Sequence, residues 1–289
     1  MKKTAYLIQA TLISLWWIGI LTSQSFYAAF QYPNISEIAF NSFMIPDIIV
    51  LAILSVFVAY SKKQQIEYII LGGFAFATLY CINASILTNG GFLPTTIMIL
   101  GLSYNIFLIS GKKLFRESPT DKLLVNFGKT LIQIICIWTI TLIVFPILIL
   151  KGFKTAIPTI AELNKIGLAL FVIFSFIGLY SAVEIVRIGK GTPLPMDQTS
   201  NLVITGPYKL IRNPMAVAGI GQGISLSIIL SSIHILMYSI LGAILWQYVV
   251  KPMEEKDMIR RFGSEYERYR DSVKCWIPKM KKMPHNKIL

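Results

Sequence analysis

Residues 202–215 read Leu-Val-Ile-Thr-Gly-Pro-Tyr-Lys-Leu-Ile-Arg-Asn-Pro-Met, and beyond an apolar stretch the chain reaches Glu254-Glu255. Arg212 carries a planar fork of donors, Tyr208 lies one turn before it, and Asn213-Pro214 suits the cap and first residue of a helix. Together with the free N–H groups of a helix start, these side chains suit an anionic group such as a carboxylate. If the apolar stretch returns the chain to its starting face, Glu254 and Glu255 oppose Arg212. Because neighbouring residues on a helix point apart, one of the two carboxylates is expected to face inward. Ahead of this segment, Gly189-Lys-Gly-Thr-Pro-Leu-Pro195 is expected to be extended, since Pro193 and Pro195 disfavour helix. Gly206-Pro207 reads as a turn, and residues 208–212 as a short interfacial helix. Arg260-Arg261-Phe262-Gly263, Tyr266, Tyr269 and Trp276-Ile277-Pro278 follow Glu255. They allow a second reading, an amphipathic helix lying on a bilayer with its aromatics inserted.

The elements that position these groups are membrane helices. The 289 residues are 55% hydrophobic and 14% charged, with a mean hydropathy of +0.65, too apolar for a water-soluble domain of this length. Apolar runs at 6–30, 43–60, 68–87, 92–110, 130–150, 166–187, 215–232 and 235–250 each approach the length of about 20 residues that a helix needs to cross a bilayer. The predicted class is therefore all-α: a polytopic integral membrane protein with about eight transmembrane helices, the last two a short hairpin, followed by a polar tail. All but three of the 27 Lys and Arg (Lys151, Lys154 and Lys165) fall at the ends or in the even-numbered loops, which predicts a cell-membrane protein with both termini cytoplasmic. The formal charge of +13 is thus mainly topological, with some attraction to anionic lipid. No basic stretch outside the apolar runs is interleaved with stacking aromatics, which argues against nucleic-acid binding. Lys2-Lys3 ahead of an apolar run also fits a signal peptide, but the run is long and has no small-x-small site, so an uncleaved first span is expected.

Few ionisable residues lie within the spans. Asp47, after Pro46, reads as a carboxylate close to the headgroups, and Glu184 and Arg187 are spaced to pair at an interface. A transporter needs more polar groups at mid-membrane. Gly219-Ile-Gly-Gln-Gly223 lies in an apolar span with no preceding strand, so it reads as a helix-packing surface rather than a dinucleotide loop. His234 at the hairpin tip reads as turn chemistry. The three cysteines suggest no disulfide framework, and no His/Cys cluster suggests a metal.

The order Leu-Val-x-x-Gly-Pro-Tyr-x-x-x-Arg-Asn-Pro-Met, hairpin, Glu-Glu, Phe-Gly-x-x-Tyr-x-x-Tyr and Trp-x-Pro over residues 184–278 resembles the isoprenylcysteine carboxyl methyltransferase and phospholipid methyltransferase superfamily. Gly-x-Gly-Thr-Pro-x-Pro is similar to its bacterial branch. The resemblance implies S-adenosyl-L-methionine as cofactor, with Gly206, Pro207, Tyr208, Arg212, Asn213, Pro214, Gly219, Glu254 and Glu255 as its site. It implies methyl transfer to a lipophilic acceptor from the membrane, a carboxylate first of all, with Arg212, Asn213 and Tyr208 as the catalytic candidates. Many relatives carry His at the position of Asn213. A carboxylate needs no proton acceptor, whereas an amine does. Phospholipid amine N-methylation, thiol methylation and a non-catalytic transporter or scaffold remain alternatives. Residues 121–289 are expected to form the methyltransferase-like region and 1–120 a four-helix transmembrane region of unassigned role. Lipid substrate and membrane lipids are the expected partners, and the oligomeric state is open.

Overall fold

The computed structural model describes residues 2–61, 63–114, 116–154 and 161–278. The chain is 81% helical and, among the described residues, has no strand, only an isolated parallel bridge between Glu117 and Gln198. Nine helices follow in order among the described residues. They are α1 (Lys2–Thr22), α2 (Gln24–Phe30), α3 (Glu37–Ser61), α4 (Gln64–Thr88), α5 (Phe92–Leu114), α6 (Leu123–Gly152), α7 (Ala161–Arg187), α8 (Pro214–Ile229) and α9 (Ile233–Ser272). Seven are long and apolar enough to cross a membrane, and α8 is a shorter apolar helix. The all-α, multi-pass architecture and its terminal hairpin are as the hydropathy pattern predicts. Lys62 and the basic residues from Lys279 onward, which entered the charge asymmetry, lie outside the described residues.

α9 departs from expectation in its length. Up to a break at Gly263 its helical part extends about 45 Å, longer than a bilayer core of about 30 Å, so the apolar part 233–250 has the composition of a span and the polar part from 251 is a continuation of it. A proline inside a helix clashes with the carbonyl four residues earlier, and a widened turn relieves the clash. Pro146 and Pro252 each follow such a turn, at Thr139–Val144 in α6 and Trp246–Val250 in α9. The second lies where α9 leaves its apolar part and turns Glu254 and Glu255 toward the loop before α8.

α7, α8 and α9 pack closely through small residues. A Cβ at Gly221 would lie 2.4 Å from the Phe174 ring, and one at Gly223 2.5 Å from Ser239 Oγ. Gln222 donates to Ser175 Oγ across the α7–α8 contact at 2.9 Å. Gly219 differs from the sequence expectation: nothing lies within 4 Å of its Cβ direction, so Gly221 replaces it in packing.

The first four spans hold two apolar clusters. One joins Ala5, Tyr6, Leu51, Val58, Ile70, Phe74 and Leu108, and also takes in Val249 of α9. The other gathers Trp17, Phe30, Tyr32 and Phe40. Polar side chains inside this bundle bond to one another. Gln9 donates to Ser55 Oγ, Asn105 donates to Gln9 Oε1, and Trp17 Nε1 donates to Asp47. Asp47 is buried within the bundle.

Candidate functional site

The loop between α7 and α8 folds back against Glu184 in the last turn of α7. Glu184 accepts a short hydrogen bond from Thr205 Oγ1 rather than serving Arg187 as a simple helix pair. Gly206 adopts a positive φ of 54°, and a Cβ there would come within 2.7 Å of Glu184 Cγ. Only glycine fits this turn against the carboxylate. The chain then makes a 3₁₀ turn over Gly206–Lys209, shorter than the interfacial helix expected for 208–212. This turn buries Tyr208, whose carbonyl accepts the Tyr269 hydroxyl at 2.7 Å.

Arg212 is held from three directions. Its backbone N–H donates to the Lys274 carbonyl at 2.9 Å, Nη1 donates to the Arg270 carbonyl at 2.9 Å, and Nη2 donates to Glu255 Oε1 at 2.8 Å. The guanidinium side chain is 10% exposed and that of Glu255 22%. Arg212 Nε is buried without a hydrogen-bond partner. A buried cation with an unused donor is costly unless something accepts from it, and the Cys275 thiol lies against the same guanidinium.

Asn213 corrects one sequence expectation. Pro214 is the first residue of α8, but the Asn213 side chain does not cap it. Instead Nδ2 donates to Glu254 Oε2 at 3.4 Å, and Oδ1 accepts from the Cys275 thiol at 3.5 Å. Both carboxylates of the Glu254-Glu255 pair therefore reach the loop, one at Asn213 and one at Arg212, where the helix geometry alone had allowed a single inward residue. The two adjacent loop residues diverge to meet them.

Burial pushes the Glu254 carboxyl up to about 7, with the neighbouring charges of Glu255 and Asp257 adding to the rise. Burial likewise pushes the phenols of Tyr208 and Tyr269 above their usual value, so both remain neutral donors at physiological pH.

A third segment closes the side of this cluster. Residues 189–201 fold into a compact knot rather than an extended run, with a 3₁₀ turn at Pro195–Asp197. Thr192 N–H donates to the Asp197 carbonyl at 2.7 Å, and Lys129 of α6 pairs with Asp197 at 2.8 Å. Arg261 of α9 donates to the Thr199 carbonyl at 2.6 Å while bonding Asp257 at 2.8 Å. α9 thus grips the loop on both sides of the hairpin. Beyond Arg261 the helix breaks at Gly263, with φ 50° and ψ −130°, which re-aims Tyr266 and Tyr269 toward Val273 and Leu202.

Tyr208, Arg212, Asn213, Glu254 and Glu255 are brought into one cluster, with Gly206, Pro207 and Pro214 framing it. Gly219 stands exposed on α8 more than one turn away. Glu184 with Thr205, Cys275, and the Asp257–Arg261 pair belong to the same assembly and were not marked by sequence as its members. Glu184 had a signal, a carboxylate at the end of an apolar span. Cys275 had none, because an isolated cysteine in a basic tail carries no spacing information. Two recesses lie elsewhere, one of about 220 Å³ lined by Leu123, Leu124, Phe127, Val183 and Arg187, the other by Ile53, Val56, Phe57, Tyr60 and Ser61. Neither includes the charged cluster.

Residues 163–265 match the phospholipid methyltransferase family, part of the superfamily that the motif order over 184–278 resembles. The matched range includes Glu184, the 206–214 loop, Glu254 and Glu255, and ends before Tyr266, Tyr269 and Cys275. No curated protein and no solved structure matches the chain.

Proposed function

We propose, on the family that residues 163–265 match, that this multi-pass membrane protein transfers a methyl group from S-adenosyl-L-methionine to a lipophilic acceptor arriving from the bilayer. The observation that carries the reading is the buried, unpartnered Arg212 Nε beside the Arg212–Glu255 ion pair, held between the two polar stretches that bracket α8 and the apolar part of α9. Those residues fit the cofactor's charged ends. Arg212 Nε offers a donor to its carboxylate, and Glu254 or Glu255 an acceptor to its ammonium or ribose hydroxyls. The bound cofactor supplies an activated methyl group on a sulfonium. The chain's own task is alignment and exclusion of water. Neutral Tyr208 forms part of the wall, Asn213 orients Glu254, and the open face at Gly219 lets a ligand approach the α8 backbone. Gly206, Pro207 and Pro214 fix the turn that presents Arg212.

The basic residues at the ends and in alternate loops support a cytoplasmic position for this cluster. A separate role for residues 1–120 is supported by the two apolar clusters centred on those spans, although Val249 of α9 joins the first, and Leu148 and Ile149 of α6 and the following Phe153 pack on the second.

A carboxylate acceptor is favoured, since it is already nucleophilic and Asn213 offers no base. One observation supports an amine instead: Glu254, pushed up to about 7, has the proton affinity of a general base at neutral pH. Product analysis separates the two, because a methyl ester is cleaved by mild base and an N-methyl group survives it.

Calorimetry of S-adenosylmethionine binding to detergent-purified protein tests the reading. Wild type should give saturable heat, Arg212→Ala and Glu255→Gln should weaken it strongly, and Arg212→Lys should still impair turnover because the fork geometry is lost. Absence of saturable heat in wild type overturns the assignment.

A further inference from the structure

We propose that Cys275 is a positioning residue of this site, its thiol fixing the Asn213 amide in the orientation that donates to Glu254. The inference rests on the methyltransferase reading for its consequence but not for its geometry. An amide has one donor end and one acceptor end, and nothing in its shape chooses between them. Here Asn213 stands between Cys275 Sγ at 3.5 Å from Oδ1 and Glu254 Oε2 at 3.4 Å from Nδ2. A thiol donor on one side leaves only Nδ2 for the carboxylate. With the amide reversed, Oδ1 would face Glu254, where only a protonated carboxyl is a suitable partner.

Three observations support the thiol as a kept donor. Cys275 is buried, and burial raises its ionisation above the usual value against the pull of Lys251 and Arg212, so the proton stays on sulfur. The backbone on either side is pinned, by the Lys274 carbonyl that accepts the Arg212 N–H and by Trp276 Nε1 donating to Gln247 Oε1 at 2.7 Å. The adjacent Arg212 Nε, buried and unpartnered, places this contact at the edge of a ligand position rather than in inert packing.

The charged and titratable groups around Glu254 are Glu255, Asp257 and Tyr266 on its own helix, Tyr208 and Arg212 on the loop, and Cys275 on the returning tail. Only Asn213 stands between Cys275 and Glu254 in the chain of bonds. Cys275 also touches the Arg212 guanidinium that pairs with Glu255, so a change at Cys275 that preserves volume but removes the donor acts on Glu254 through the amide, and any contribution through Arg212 shows as an affinity change that persists near pH 8, where Glu254 is largely ionised.

The test uses the full chain in detergent as wild type, Cys275→Ser, Cys275→Val and Glu254→Gln. The first readout is the infrared band of the protonated Glu254 carboxyl, identified by its loss in Glu254→Gln and followed against pH. Cys275→Ser should keep the wild-type midpoint, and Cys275→Val should raise it by about half a pH unit as the amide loses its preference. The second readout is S-adenosylmethionine affinity, which in Cys275→Val should fall about threefold near pH 6 and match wild type near pH 8. Equal midpoints in the Ser and Val variants overturn the proposal, and so does a shift in Cys275→Ser as large as in Cys275→Val. If wild type binds no cofactor the methyltransferase reading fails, while the infrared titration still decides the role of Cys275.

Discussion

The N-terminal bundle and the α7–α9 region both bury polar side chains, but they satisfy them differently. In α1–α5, Gln9, Ser55 and Asn105 bond in a chain, and Asp47 takes the Trp17 indole, within a surround of aliphatic and aromatic side chains. The unpartnered atoms there, such as Tyr6 Oη and Asn105 Oδ1, belong to neutral groups. At the mouth of α8 and α9 the buried groups are charged, come from three separate segments, and leave a guanidinium donor free. A neutral orphan costs about 1–3 kcal/mol, and an unused donor on a buried charge costs more. Under the proposed function, the contrast separates side chains that maintain the fold from those available to a ligand.

Substitution of one residue from each set gives the widest separation. Arg212→Ala removes a charge-assisted contact and leaves Glu255 buried without its cation, so S-adenosylmethionine affinity should fall by about 30- to 100-fold. Trp17→Phe takes the donor from Asp47 and should lower stability by about 1–3 kcal/mol with cofactor affinity unchanged. Thermal unfolding and calorimetry on the same preparations check both. Equal loss of affinity in the two variants would erase the distinction between the regions.

The two regions were also unequally legible. The spans followed from hydropathy, and the helical hairpin from the shortness of its runs. Arg212 opposite Glu255 followed from chain reversal, because a hairpin of helices must bring its flanking polar segments to one face. The extent of α9 was missed because residues 251–272 are polar, and hydropathy does not register a helix that continues into water. The 189–201 knot was missed because two prolines suggest an extended chain, while the hydrogen bonds that close it come from Arg261 and the 116–118 segment, far away in sequence. Asn213 looked like a helix cap since local propensity favours it there. The stronger competitor was a carboxylate 41 residues later, invisible to local pattern.

Acidity gives a medium-sized contrast. With Glu254 raised to about 7, its carboxylate form, the one suited to an ammonium or hydroxyl ligand, is mostly lost near pH 6 and mostly present near pH 8. Cofactor affinity in wild type should therefore drop by about tenfold between those values, and Glu254→Gln should bind weakly with no such slope. Stability runs the other way. A carboxyl raised above its usual value of 4.5 favours the fold while protonated, and that support is lost as pH rises through about 7. Glu254→Gln should thus raise the unfolding temperature near pH 8 and leave it little changed near pH 5. An Asp47→Asn control should keep the wild-type slope of cofactor affinity, and loss of that slope there would mean that the pH effect on binding does not belong to this cluster.

The smallest effect is expected at Gly219, where the two regions can be compared with almost no steric disturbance. Gly73 of α4 and Gly219 of α8 are both glycines in apolar helices, yet a Cβ at Gly73 would lie 2.8 Å from Leu51 Cδ2, while at Gly219 it meets nothing within 4 Å. Gly73→Ala should therefore lower the unfolding temperature and leave binding alone. Gly219→Ala should gain a little helix stability, about 0.5–1 kcal/mol, from reduced backbone freedom in the unfolded chain. If the cofactor approaches the α8 backbone at this open face, the added methyl should weaken S-adenosylmethionine binding by about two- to fivefold despite that gain. Unchanged affinity in Gly219→Ala would move the ligand off α8 and confine it to the Arg212–Glu254–Glu255 side of the mouth.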